Sequence, residues 1–254
     1  MFASGSPAAG KDEVRLVRAE RQEFAGPAEF LTDPVHRMEM GRYLSDMAGA
    51  YGTRLRDDVF DGIAVTADLG HSYGEMAEAL IAQTVTDPVD LLVLAFANHD
   101  VRPGRATATY LSHVCPGTPM AFAVCDQGPA GAYTALRLVR EYLRSGTSRR
   151  ALLVVVEHAG LPYDAPGVPL PARHAGVALV LEPGPGRRVG PVRQHAGVAL
   201  SDVDSHLPAD RKLVRAPASR PYIGSFWEVG DATDPVTLVG YDERLRYLSL
   251  VDVG

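Results

Sequence analysis

The sequence predicts an α/β fold on a mostly parallel central sheet, and three observations carry the prediction. Apolar runs at 90–96, unbroken after Asp90, and at 151–156 have the character of strands buried on both faces. Amphipathic segments of helical period lie between the apolar runs, as right-handed crossovers between parallel strands require. The stretch 122–136 reads as a short buried central strand, a tight polar turn and a long amphipathic helix in immediate succession.

That stretch organises the chain. Its apolar run ends at Cys125, Asp126, Gln127 and Gly128, and Pro129 stands where a first helical residue is expected. Proline suits that place because its missing N–H would have no intrahelical partner. Ala132, Ala135, Leu136, Val139 and Leu143 then recur at helical spacing, and Gly146 is the expected stop. Arg137, Arg140 and Arg144 fall on another face, either solvated or as a docking stripe for an acidic carrier protein or a phosphate. A helix that starts after a sharp turn favours anions and thiolates at its N-terminus.

The remaining elements follow in order. Residues 1–11 are small and turn-rich, the composition of a disordered start. Residues 13–19 alternate apolar and charged, as a half-exposed strand does. Residues 34–50 form a helix in which Met38, Met40, Tyr43, Leu44 and Met47 suit an adaptable core. A short strand is expected at 60–66, an amphipathic helix at 72–84, a short helix at 105–114 and a loop rich in Pro and Gly at 161–171. Beyond residue 183, the sequence predicts a turn at 184–188, a strand at 189–202, an exposed loop at 204–220 and a closing hairpin over 235–253. The hexapeptide His-Ala-Gly-Val-Ala-Leu occurs at 174–179 and again at 195–200. Two copies do not make a solenoid, so they read as adjacent strands of similar packing.

Composition narrows the function classes. The chain has 254 residues with 46% apolar content, enough for a large core. A net charge of −6 argues against a nucleic-acid partner. Cys115 and Cys125 make neither a disulfide framework nor a zinc pattern. No signal peptide or bilayer-spanning run is seen, so a cytoplasmic protein without membrane partners is expected. No phosphate loop, dinucleotide fingerprint or metal-ligand spacing of His residues is present, so neither cofactor nor metal is expected.

Chemistry in open α/β sheets sits beyond the carboxyl ends of the parallel strands. Here those ends carry Asn98-His99-Asp100, Cys125-Asp126-Gln127 and Glu157-His158, with His174 approaching from the next strand. If the strands are neighbours, the ingredients of a Cys–His or His–Asp arrangement come together. The catalytic candidates are Cys125, Asp126, His99 and His158, and the substrate-binding candidates are Gln127, Gly128 and His174. Each has a structural alternative: Cys125 as a small buried hydrophobe, Asp126 as a helix cap, and the histidines as hydrogen-bonded loop residues.

Residues 90–181 resemble the ketosynthase III group (3-oxoacyl-ACP synthase III) of the thiolase-like superfamily. The resemblance rests on the runs 90–96, 151–157 and 175–181, and on Ala130-Gly131, Ala135-Leu136 and Ser145-Gly146 along the nucleophile helix. The segments 236–241 and 245–253 are similar to the family's closing strand pair. This implies a thiolase-like layered fold, a single domain over 12–254 with its core at 90–183 and its second half-domain truncated. Counting back from Ala130-Gly131, the family's nucleophilic cysteine falls on Pro129. No segment matches the family's His and Asn motifs, and its Gly-rich segments read Ala172-Arg173-His174 and Asp242-Glu243-Arg244.

The implied protein is a shortened relative without the usual catalytic cysteine, in polyketide or other specialised-metabolite biosynthesis. It would bind an acyl thioester of coenzyme A or phosphopantetheine, or an acyl carrier protein, and pair as a homodimer or with a complete ketosynthase. The other reading is an active, non-condensing enzyme performing acyl transfer, cyclisation or dehydration with Cys125 or an Asp126–His pair.

Overall fold

The computed structural model describes residues 13–56, 59–60, 70–102 and 104–254. The expected disordered start at 1–11 and the expected strand over 61–66 lie outside the described residues.

The apolar runs form the strands they predict. β1 (Val14–Phe24), β2 (Leu91–Ala95), β3 (Met120–Val124), β4 (Ala151–Glu157), β5 (His174–Pro183) and the short β6 (Arg187–Arg188) make one sheet in the order β3-β2-β4-β5-β1-β6. β2 is parallel to β3 and to β4, and β5 runs antiparallel to both of its neighbours. Four of the six strands therefore point one way, yet only two of the five neighbour pairs are parallel. The segment between β4 and β5 holds no helix to carry a crossover, so β5 starts from the end where β4 stops. β3, expected to be a buried central strand, is instead the edge strand, with Met120 48% exposed.

Helices cover both faces of this sheet. α1 (Glu29–Thr32) and α2 (Pro34–Ala50) precede α3 (Tyr73–Thr84), which opens on a capping box. The Ser72 hydroxyl accepts from the Glu75 N–H, and the Glu75 carboxylate accepts from the Ser72 N–H. α3 and α4 (Thr107–Val114) pack on one face through Met76, Leu80 and Leu111. α5 (Gly131–Arg144) lies on the other and ends before Gly146, whose φ of +75° suits a residue without a Cβ. Arg140 does not join the expected solvated stripe. It is buried, and its Nε donates to the Val189 carbonyl at 3.2 Å, because the second sheet closes over that flank. The methionines of α2 contribute little core: only Leu44 and Ala48 are buried in its 17 residues, Met40 packs partly buried against the cluster of Ala28 and Leu31, and Met38 is 60% exposed.

The second sheet runs β7-β10-β9-β8, from β7 (Arg193–Ala196), β8 (Lys212–Arg215), β9 (Val236–Asp242) and β10 (Tyr247–Val253). The closing hairpin is thus its centre, paired from Tyr247↔Asp242 to Val253↔Val236. Two expectations are corrected here. The strand expected at 189–202 shrinks to β7 and passes through a turn at Gly197 into a 3₁₀ helix, Leu200–His206. The expected loop at 204–220 contains β8. The two hexapeptides consequently sit in different sheets and are not adjacent strands, since only His195 and Ala196 of the second copy are extended in a ladder.

Sequence order and direction repeat between the sheets. β8, β9, β10 and β7 stand to one another as β2, β4, β5 and β1 do. Among the described residues, the second sheet has no counterpart of β3 and no long helix on its outer face, where Val198 and Val203 cover Val239, Leu248 and Leu250. α5 is sandwiched between the sheets, with Leu136 and Val139 in one apolar cluster with Leu153 and Val177 on one side and Leu238 and Val251 on the other. One α6 turn (Gly224–Trp227) fills the same layer, and Ser225 lies 2.8 Å from the Tyr133 hydroxyl.

Candidate functional site

The strand ends meet as their order requires. Ala95 pairs with both Val124 and Val155, so the residues following β2, β3 and β4 emerge side by side. Glu157 pairs with Ala175, which brings His174 to His158 with ring centroids 5.6 Å apart, edge to face. The pleat then divides the groups between the two faces of the sheet.

His158 points to the α3 side. It stacks on Tyr73 at 4.1 Å, its Nε2 donates to the His71 carbonyl at 2.7 Å, and its Nδ1 is enclosed without a partner. Burial, reinforced by His174, pushes its pKa down to about 3, so the ring is neutral. His174 Nδ1 accepts from the Ala159 N–H at 3.1 Å, and its ring lies against Gly70, where an added Cβ would come within 2.6 Å. His99 packs on Tyr163, with Nδ1 3.3 Å from the Asp100 carbonyl. The two hydrogen-bonding histidines of the catalytic proposal thus spend their bonds on backbone carbonyls.

The polar turn faces the second sheet. Asp126 takes the left-handed conformation, φ +61°, and both helical segments that follow lack a side-chain cap, so Asp126 is not the N-cap. Gln127 is exposed, and Gly128 sits so close to Asp242 that an added Cβ would lie 2.8 Å from Oδ2. Pro129 is the middle residue of a 3₁₀ turn, Gly128–Ala130, that leads into α5. Cys125 is partly exposed, and burial followed by the Asp126 side chain pushes its thiol above the ordinary value. That is opposite to what a nucleophile needs. Cys125 should therefore alkylate with iodoacetamide slowly at about pH 7 and readily only above about pH 9. Cys115, buried and pushed to about 11, should react only on unfolding. Peptide mass analysis checks both, and rapid neutral labelling of Cys125 would contradict the assignment.

Three groups complete the site: Glu157 and Asp100, named above only as strand-end residues, and Tyr222, which the sequence did not single out. Glu157 is 1% exposed, with Oε2 accepting from the Tyr222 and Ile223 N–H groups at 3.2 and 3.3 Å and Oε1 enclosed without a partner. Burial lifts its pKa to about 8, the two N–H groups offsetting only part of that, so it carries a proton at neutral pH. Tyr222 donates to the Pro169 carbonyl at 2.7 Å, and burial beside Glu157 pushes its phenol to about 12. Asp100 ties the starts of α3 and α4 together, accepting from the Tyr73 N–H at 3.1 Å and the Thr107 hydroxyl at 3.2 Å. The sequence signal for Glu157 was available, a carboxylate ending a wholly apolar run; the signal for Tyr222 was not.

A cavity of about 520 Å³ opens beyond the ends of β1 and β4, lined by Phe24, Arg56, Tyr163, Arg173 and His174 among others. The Arg56 Nε is enclosed without a partner, while Arg173 lies 3.5 Å from Glu23. Among the described residues, no group of three or more His, Cys, Asp or Glu could hold a metal, and no helix is long and apolar enough to cross a membrane.

No protein-family model and no curated protein matches the chain. Solved structures do. ChlB3, described as an acyltransferase, superposes with a TM-score of 0.60 at 17% identity, over 95% of this chain and 97% of its own. AbyA1, described as a tetronic acid condensing enzyme, gives 0.59 at 17% identity over 94% and 99%. Xanthomonas campestris OleA gives 0.59 at 13% identity over 95% and 98%. The fold is thiolase-like. Within this thiolase-like chain, the 3₁₀ turn at the head of α5 holds Pro129 where the sequence resemblance places a cysteine.

Proposed function

We propose that this protein is a degenerate ketosynthase III-like member of a polyketide or other specialised-metabolite pathway, binding an acyl thioester or its carrier protein without becoming acylated. One observation carries the reading: Pro129 occupies the turn before α5, and the nearest cysteine has a thiol pushed up. The structural neighbours described as an acyltransferase and a tetronic acid condensing enzyme support the pathway class. Arg56, Arg173 and His174 would receive the phosphate end of coenzyme A or phosphopantetheine in the 520 Å³ cavity. The unpaired side of β3, with Met120 and Ala123 exposed, would be the edge for a second copy or a complete ketosynthase, in the cytoplasm.

A second reading has its own support. Glu157 is a protonated carboxyl with an unspent Oε1, the state in which a general acid waits, and it favours a non-condensing enzyme. Intact-protein mass spectrometry and calorimetry with acyl-coenzyme A and acyl carrier protein thioesters separate the two. Saturable binding with no mass increment, weakened about tenfold by Arg56→Ala, is expected. An acyl increment that disappears only in Cys125→Ser would overturn the non-covalent reading.

A further inference from the structure

The second sheet stops one strand short of the first. In the first, β3 lies parallel on the outer side of β2, from Leu91↔Met120 to Ala95↔Val124. β8 takes the place of β2 in the repeated order, and its inner side is paired with β9 from Lys212↔Val236 to Arg215↔Val239. Among the described residues, no strand is hydrogen-bonded to its outer side, so the backbone groups of that edge are unspent.

The edge carries a fixed alternation of side chains. Val214 belongs to the apolar cluster of Phe226 between the sheets, and Lys212, two residues earlier, shares that face. Leu213 packs on the opposite face against the cluster of Val239 and Leu248, and Arg215 shares that one. The four residues therefore read cation, apolar, apolar, cation along the edge, with one of each kind on either face. Asp204 answers Arg215 at 2.8 Å, but the side chains are 86% and 50% exposed, and such a pair holds weakly. Among the described residues, Arg211 and Lys212 have no ion-pair partner. From 211 to 220 the chain bears Arg211, Lys212, Arg215 and Arg220 and no carboxylate, and of these Arg220 is engaged with Glu23.

These charges decide between occupants. Antiparallel pairing of two β8 edges in full register would set Lys212 of one copy opposite Arg215 of the other, so a second copy is repelled. Charges of one sign commonly guard a bare edge against its own kind in this way. They do not repel an acidic strand. The strand that fits has acid, apolar, apolar, acid opposite positions 212 to 215, an order that reads the same for parallel and antiparallel approach.

We propose that the β8 edge docks an extended acidic segment of another polypeptide, which adds a fifth strand to the second sheet in the place that β3 takes in the first. Main-chain hydrogen bonds supply the affinity, and the two acid–cation pairs select the partner. The proposal is independent of the thioester reading, because β8 shares no residue with the 520 Å³ cavity.

Isothermal titration of the full chain with the end-blocked peptide Ser-Thr-Glu-Val-Val-Glu-Thr-Ser tests it. One control replaces both glutamates with lysine, and another replaces the first valine with proline. The glutamate peptide should bind saturably and slow hydrogen exchange at 212–215. The lysine peptide should not bind. The proline peptide should bind at least about tenfold more weakly, because it keeps the charge and loses a strand N–H. In the doubly reversed variant Lys212→Glu/Arg215→Glu, the preference should invert toward the lysine peptide, which a misfolded chain could not show. No saturable binding up to about 1 mM overturns the proposal, as do equal binding of the proline peptide, an unchanged preference in the reversed variant, or no protection at 212–215. Protection at 212–215 that rises with protein concentration without peptide would assign the edge to a second copy, and overturns it too.

Discussion

Replacing Glu157 by glutamine should stabilise the protein by on the order of 3 kcal/mol at about pH 8 and leave it unchanged at about pH 4. The unfolded carboxyl gives up its proton near 4.5, the folded one near about 8. Between those values, the folded state holds the extra proton, so stability falls as pH rises through the window and levels off above it. Glutamine keeps the oxygen that accepts from Tyr222 and Ile223 and has no proton to lose. His158 works in the opposite direction. Its folded value of about 3 lies below the ordinary 6.5, so stability falls as pH drops through that interval. These two groups together make a plateau between 4.5 and 6.5, with losses on either side. Urea midpoints at three pH values, wild type beside Glu157→Gln, check this; parallel pH profiles would dispose of it.

Gly240→Ala should cost about 3 kcal/mol and lower the melting temperature by roughly 5–10 °C. A Cβ there would lie 2.4 Å from Cε2 of Tyr133 and 3.1 Å from Cζ. The ring has nowhere to go. It is fully buried, sits edge-on to Phe226 at 5.0 Å, and its hydroxyl is engaged with Ser225. Tyr133→Leu in the same chain should recover part of the loss, because the clash disappears with the ring. A double-mutant cycle measures that coupling, and strict additivity would show that Gly240 matters for some other reason.

The legible parts of the fold were those with a local period. β2 and β4 announce themselves as unbroken apolar runs, and α2 is bracketed by Pro34 and the residues after Ala50. β8, Lys-Leu-Val-Arg, is four residues long and exists only because β9 offers it a partner. The fate of Arg140 depends on Val189, 49 residues away, which no helical wheel contains. At the site, clustering of the three strand ends was conditional on the strands being neighbours, a condition the order β3-β2-β4 meets, and His174 lies beside His158. The division of these groups between two faces was not legible, and the conformation of Asp126 left no trace in composition. Glu157 was read as a polar strand end. It is buried because Tyr222 and Ile223, 65 and 66 residues on, supply its hydrogen bonds.

The repeated strand order has a consequence for biosynthesis. Every strand of the first sheet lies within residues 14–188, and every strand of the second within 193–253. A ribosome therefore releases a complete six-stranded sheet before the first residue of the other appears. At that moment, α5 is covered on one side only, and the surface meant for Leu238, Phe226 and Val251 faces the exit tunnel's surroundings. The nascent chain must wait in that half-dressed state for about 65 further residues, several seconds of translation. The apolar flank of α5 is therefore exposed during synthesis for longer than the six-stranded sheet itself takes to complete its pairing.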